Sequence, residues 1–355
     1  MPPLLQFFIR RLFYAVLSLI VITMVLYAGV MLTPPEARAQ LYVPKGKGGE
    51  RASANYLAVL IRDHHLDDPY PVQFAYWVKS LLEGNWGYSP SLREDVLSAL
   101  LRRTPVTLEL ALYSLLVLIP LGLASGLIAG WKPRQAFDNT FRSLAFFGTT
   151  MPPFIFSFML LSLFYINLDW FGPGRVSFDF SMDMAKDTFQ MYTGLLTIDS
   201  LLNGRPDIFW DALKHLVMPV LTLSMYHWAT LGRITRATII SERGKEHIIA
   251  AKARGLSERR LMWRYAFRSV LTPSLTSVAL SAAAIVTGVF VVEVIFDFKG
   301  LSTILVTAMS TVAPDAPAVL GFSVYSVILV IVLMFLLDIA QAVLDPRVRD
   351  EVLKT

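Results

Sequence analysis

The chain has 355 residues, 55% of them hydrophobic and 17% charged, with a formal net charge of +5. So apolar a composition excludes an ordinary soluble domain and points to a chain that crosses a bilayer several times. Cysteine is absent, which excludes disulfides, thiolate zinc sites and cysteine-ligated iron–sulfur clusters.

A helix needs about 20 apolar residues to cross the hydrocarbon core. Runs of that kind lie, in chain order, at Phe7–Leu32, Thr104–Gly130, Thr140–Leu168, Leu216–Ile240, Ser274–Phe296 and Pro317–Leu344. The first is too long for a signal-peptide core and no small-residue cleavage site follows it, so it reads as a retained helix. Lys and Arg set the orientation. Arg10 and Arg11 lie at the start of the first run, Lys132 and Arg134 separate the second from the third, and Arg347, Arg349 and Lys354 follow the sixth. Ser241–Leu271 holds eight basic residues and three acidic ones, whereas Asp169–Leu213 holds seven acidic and three basic. The expectation is an all-α membrane protein with six transmembrane helices and both termini in the cytoplasm. Its net charge then reports cytoplasmic cations facing membrane lipid, not nucleic-acid binding.

The chain divides accordingly into a first transmembrane helix (1–32), an extracytoplasmic helical segment (33–103), a membrane core (104–345) and a cytoplasmic tail (346–355). Within the core lie an extracytoplasmic loop at 169–213 and a basic cytoplasmic loop at 241–271. In the extracytoplasmic segment, "PVQFAYWVKSLLEG" carries apolar residues at helical spacing, and Gly84 is placed to end that helix. Pro44–Glu50 reads as a flexible stretch. Asp, Gly and Pro between 172 and 213 predict a loop with short helices. No internal repeat is visible.

The third run contains "TTMPPFIF". Pro152 and Pro153 should kink or interrupt it, since proline lacks the amide donor and clashes with the preceding turn. Such a kink either borders a pathway or serves packing. In the basic loop, "EHIIAAKAR" is built of good helix formers, and Gly255 stops it by taking the left-handed conformation. Ser257 is placed to cap a second short helix, "ERRLMWRYAFRSVL". Ala250, Ala251 and Ala253 form a small-residue surface, while Trp263, Tyr265 and Phe267 alternate with arginines as at a membrane interface. The segment is either a lipid anchor or a short helix offered to a cytoplasmic partner.

Glu293 lies near the outer end of the fifth run with Asp297 one turn on. A carboxylate within a span marks a functional position by default, so this pair is a candidate gate or pathway lining, or else it reaches the interface and pairs with a cation. Asp338 is expected to pair with Arg233 or Arg236. His64 and His65 are adjacent, point in different directions and lack a third ligand, so they read as a solvated pair. No Gly-x4-Gly-Lys-Ser/Thr loop, Ser/His/Asp set or paired-histidine zinc motif occurs. The chain is not an enzyme by these signals, and it carries no cofactor site.

"AAKARGL" followed by "RYAFRSVLTP" resembles the coupling-helix region of bacterial ABC importer permeases, most closely the peptide/nickel branch. "GRITRATII", "VFVVEVIFDFKGL", "LLDIAQAVLDPRVR", "LDDPYPVQFAYWVKSLLEGNWGYS" and "RRTPVTLELALYSLLVLIPLGLASGLIAG" fit the same branch in the same order. The general loop motif is Glu-Ala-Ala, three residues, then Gly. Here Ile249 stands in the Glu position, and Ala250, Ala251 and Gly255 are retained.

The resemblance implies a type I importer permease fold in a prokaryotic inner membrane. It also implies a second homologous permease, two ATPase subunits that hold ATP and Mg, and an extracytoplasmic binding protein. Di- or oligopeptides are the implied cargo, with nickel chelates, glutathione and oligosaccharides as alternatives within the branch. Ala250, Ala251, Lys252, Arg254, Gly255 and Leu256 would seat on an ATPase, and Asp345 and Arg347 would anchor the sixth helix. A stand-alone secondary transporter or channel is the alternative of another class, though such proteins usually show internal repeats.

Overall fold

The computed structural model describes residues 3–32, 34–39, 54–63, 65–186, 189–310 and 315–344. The Pro44–Glu50 stretch, His64, Asp345, Arg347 and the tail lie outside the described residues. Five helices are long and apolar enough to cross a membrane, or six spans if one bent pair of helices counts as a span. The contacts divide the chain into two compact units, Met1–Pro105 with Lys299–Phe335, and Val106–Phe298 with Leu336–Thr355.

In the first unit, Pro3–Val30 forms the first span, and Tyr70–Leu82 packs near its end. Tyr27 stacks on Trp77 with ring centroids 4.8 Å apart, inside a cluster that also includes Val324, Phe74 and Trp86. The Tyr70 hydroxyl donates to the Met24 carbonyl at 2.6 Å. Tyr70–Leu82 ends as its sequence predicts. Gly84 has φ +82°, and the amides of Gly84 and Asn85 return to the carbonyls of Leu81 and Ser80, the paired bonds of a glycine-terminated helix. Buried Arg38 donates to Gln73 and to the Leu66 carbonyl, which fastens the short helix Pro35–Ala39 to this layer. His65 bonds Asp68 at 2.7 Å and stacks on Tyr76. Asp315 precedes the last helix, Ala316–Leu344, and accepts from Ser89 Oγ at 2.6 Å and Ser91 Oγ at 2.7 Å.

In the second unit, the helix Pro206–Arg243 is central and packs chiefly against Phe267–Ile295 and Ala136–Thr150. It starts ten residues earlier than the apolar run predicts, because its first turns are polar on one face and cover the 169–213 loop. A further helix, Val96–Trp131, runs through both units. Its glycines Gly122, Gly126 and Gly130 recur every fourth residue and face Leu231, Gly232 and Ile239. A Cβ at Gly130 would stand 2.7 Å from the Arg236 carbonyl, and one at Gly126 would collide with the Gly232 carbonyl. Small residues at that spacing let helix backbones touch, and close packing is the main attraction available in lipid.

The proline pair does more than kink a helix. Ala136–Thr150 and Pro153–Leu160 meet at 109°. Met151 is extended (φ −81°, ψ 122°), as a residue before proline is pushed to be, and Pro153 opens the second helix, where a missing amide is harmless. Beyond Leu160 the helix widens, with the Leu168 amide reaching the Leu163 carbonyl five residues back.

Candidate coupling surface

The basic loop begins where Pro206–Arg243 ends. Glu242 is 3% exposed on that last turn. It pairs with Lys245 Nζ at 2.6 Å and His247 Nε2 at 3.2 Å, and the Ser269 hydroxyl also donates to it. One buried carboxylate thus ties the start of the loop and the start of the fifth span to the fourth. The short helix Glu246–Ala253 follows.

Ile248 is buried in a cluster with Leu127, Ile239, Ala266 and Val270. Ile249 is 57% exposed, and Ala250, Lys252, Ala253, Arg254 and Gly255 are exposed with it, while Leu256 is half-buried. The helix is therefore held by one face and open on the other. Ala251 differs from its neighbours Ala250 and Ala253. At 6% exposure its side chain faces the protein's own core, and the other two alanines are left on the open face. The helical period decides this, since Ala251 lies three residues from buried Ile248.

Gly255 terminates the helix at φ +79°. The amides of Gly255 and Leu256 return to the carbonyls of Lys252 and Ala251, so the turn needs a left-handed residue and glycine supplies it without strain. No atom crowds the Gly255 Cβ position, which makes the requirement conformational. Ser257 stands at the cap position with extended backbone, but its side chain makes no cap hydrogen bond. The segment after it is no separate short helix either. Glu258 to Ile295 runs as one helix of 38 residues with a widened stretch at Leu261–Ala266. The apolar run from Ser274 begins late because arginines occupy the first four turns, and charge does not stop a helix.

The remaining predicted residues are placed as follows. Glu293 is fully buried and accepts a hydrogen bond from the Thr107 hydroxyl. Within this chain alone its side chain is shielded from solvent. Asp297 closes the fifth span at φ 57°, with the Phe298 amide returning to the Glu293 carbonyl at 2.8 Å. Its short side chain suits the left-handed cap. Pro152 and Pro153 are exposed at the 109° corner. Arg236 pairs with Asp138. It donates twice to Asp138, the second bond at 2.9 Å. The Asp338 side chain lies outside the described residues, and Arg233 is exposed.

Among the described residues, the buried carboxylates Glu109, Asp138, Asp199, Glu242 and Asp315 all escaped the sequence reading. Asp138 is fully buried and also accepts the Arg134 amide at 2.8 Å. Glu242 holds the basic loop. Glu109, 2% exposed, pairs with Arg175 at 2.6 Å and accepts the amide and hydroxyl of Thr197 at 2.8 and 2.7 Å, so it fixes the 169–213 loop. For Glu109 the signal was available, because a carboxylate inside an apolar run needs a partner; Asp138 and Glu242 lie just outside the runs. The "GLASGLIAG" spacing was legible too.

Residues 122–350 match the family of binding-protein-dependent transport system inner membrane components, and residues 4–111 match its N-terminal region. The chain belongs to this family. It is 30% identical to the di/tripeptide transport system permease protein DppB of Pseudomonas aeruginosa over 349 residues, 98% of this chain and 100% of that one. Against the dipeptide transport system permease protein DppB of Escherichia coli K12 it is 29% identical over 350 residues, covering 98% and 99%. Against the oligopeptide transport system permease protein AppB of Bacillus subtilis it is 27% identical over 343 residues, covering 96% and 98%. The protein is thus an all-α inner-membrane permease component of an ABC importer and not a catalytic subunit.

Proposed function

We propose that this permease forms half of the translocation pathway of an ATP-driven importer for di- or oligopeptides and that Glu246–Leu256 couples it to an ATPase. It would pair with a second, homologous permease, two ATPases that hold ATP and Mg, and an extracytoplasmic binding protein. Both termini and the basic loop lie in the cytoplasm on this reading, and the 33–103 and 169–213 segments meet the binding protein's side. The peptide-transport names of relatives that align over nearly the whole chain support the cargo class.

The observation that carries the coupling reading is the short helix held by Ile248, Ala251 and Glu242 and open along Ile249, Ala250, Lys252 and Arg254. A helix fixed on one side transmits a push on the other to the fourth and fifth spans, which share its core cluster. Two-state coupling needs such a rigid connection between the sites. Lys252 and Arg254 supply cations for acidic groups on the partner.

The test is Lys252→Glu with Arg254→Glu. Both positions are exposed, so the fold should change by less than about 0.5 kcal/mol. Dipeptide uptake in cells should fall at least about tenfold, the scale of reversing two interface charges, while the permease still inserts. Normal uptake would sink the coupling surface. Uptake of a nickel chelate or glutathione in place of dipeptides would leave the coupling surface standing and replace the cargo.

A further inference from the structure

The first half of the bent pair and the fourth span form an open cleft of about 700 Å³, lined by Asn139, Arg142, Ser143, Phe146, Arg233 and Arg236. Three guanidinium groups converge there. Asp138, buried behind them, is engaged by Arg236 and the Arg134 amide, and it cancels one positive charge. Arg142 lies near enough to Asp138 to feel its charge, and among the described residues neither Arg142 nor Arg233 makes a side-chain hydrogen bond or a close ion pair. Counting the described residues, the cleft therefore holds a surplus of two positive charges.

Its position along the helices is informative. Pro206–Arg243 has 38 residues, a rise of about 57 Å, far longer than the roughly 30 Å hydrocarbon core. Arg233 lies ten residues before its basic end, about 15 Å. Arg142 lies six residues into Ala136–Thr150, about 9 Å from its start. Both are within reach of the headgroup layer, where long basic side chains extend toward phosphates. Along the first helix the lining passes from Asn139 through Arg142 and Ser143 to Phe146, which is 70% exposed. Polar donors toward the helix end and an exposed aromatic one turn deeper match a molecule with an anionic head and an apolar tail.

We propose that this cleft binds the phosphate headgroup of an anionic phospholipid. Basic pockets between transmembrane helices on the cytoplasmic side hold such headgroups, and arginine pairs with phosphate through two parallel hydrogen bonds. Arg142 and Arg233 grip the phosphate, and Asn139 and Ser143 add neutral donors. The lipid would brace the corner at Pro152 against the fourth span. The cytoplasmic address rests on the orientation proposed above.

Native mass spectrometry tests this on the permease as it purifies from its own membrane, with phosphatidylglycerol or phosphatidylcholine added. Phosphatidylglycerol adducts should persist and phosphatidylcholine adducts should not. Arg142→Gln with Arg233→Gln should lower phosphatidylglycerol retention at least about tenfold, and Arg142→Lys with Arg233→Lys, the control for folding, should restore most of it. Equal retention in the glutamine variant overturns the site. So does displacement by inorganic phosphate alone, or loss of a partner subunit from the glutamine variant while its lipid stays. The chain has no cysteine, so labelling a single Gln135→Cys in inverted vesicles reads the orientation separately. Lipid retention with labelling from the outer face would keep the site and reject the orientation.

Discussion

At the Gly126–Gly130 end of the second span, two buried carboxylates each gather donors from the helix ends around them. Asp138 takes Arg236 and the Arg134 amide, and Glu242 takes Lys245 and His247. At the other end of that helix Glu109 gathers Arg175 and both donors of Thr197. The device is the same, a desolvated carboxylate satisfied by several donors, and in each case it fixes a loop to the bundle. What surrounds it differs. The basic end keeps Arg142, Arg233, Lys252 and Arg254 exposed. The loop end spends Arg175 on Glu109 and leaves aromatic residues outside, with Trp170 and Tyr192 each 61% exposed and Trp210 63%. Buried acids thus position both ends, and the groups left exposed differ: cations at one, aromatic residues and carboxylates at the other.

The largest effect should come from Glu109→Gln. It leaves Arg175, whose side chain is 17% exposed, without its countercharge, and breaking such a pair costs about 3–5 kcal/mol. Limited proteolysis should then cut the 169–213 loop while the basic end stays protected. Equal protection of the loop would mean that Glu109 is not its latch and would end the parallel between the two ends. A smaller loss is expected from Gly126→Val, about 1–3 kcal/mol for overpacking, because the new side chain meets the Gly232 carbonyl and Thr235. Its mark should appear at the basic end first, as a lower thermal midpoint with faster labelling of a Gln135→Cys reporter. An unchanged midpoint would show that the helices part there at no cost.

The smallest effect concerns charge in the loop itself. Lys186, 2.6 Å from Asp183, holds that carboxyl below its ordinary value. The pair's contribution is present above the ordinary carboxylate range and lost as pH falls through the lowered value. The Asp183 side chain is 40% exposed, so screening leaves little of it. Asp183→Asn should leave uptake at neutral pH and the proteolysis pattern unchanged. A strong change would make this exposed pair a third latch.

Residue order by itself determined much here. About 20 apolar residues can satisfy their backbone in lipid only as helices, so the spans were readable from composition. Gly84 and Gly255 were readable as helix ends because left-handed backbone favours glycine, and the proline pair was readable as a break. Six motifs in order gave the family. Tertiary structure alone decided that the break is a corner of 109°, that Ala251 faces inward, that the second loop helix continues into the fifth span, and that Arg236 pairs with Asp138. It also decided that Glu293 is sealed against Thr107. Each of these depends on which neighbour occupies a given face. Local chemistry fixes the backbone a residue can adopt, while burial and pairing are set by residues distant in sequence, here 98 positions between Arg236 and Asp138.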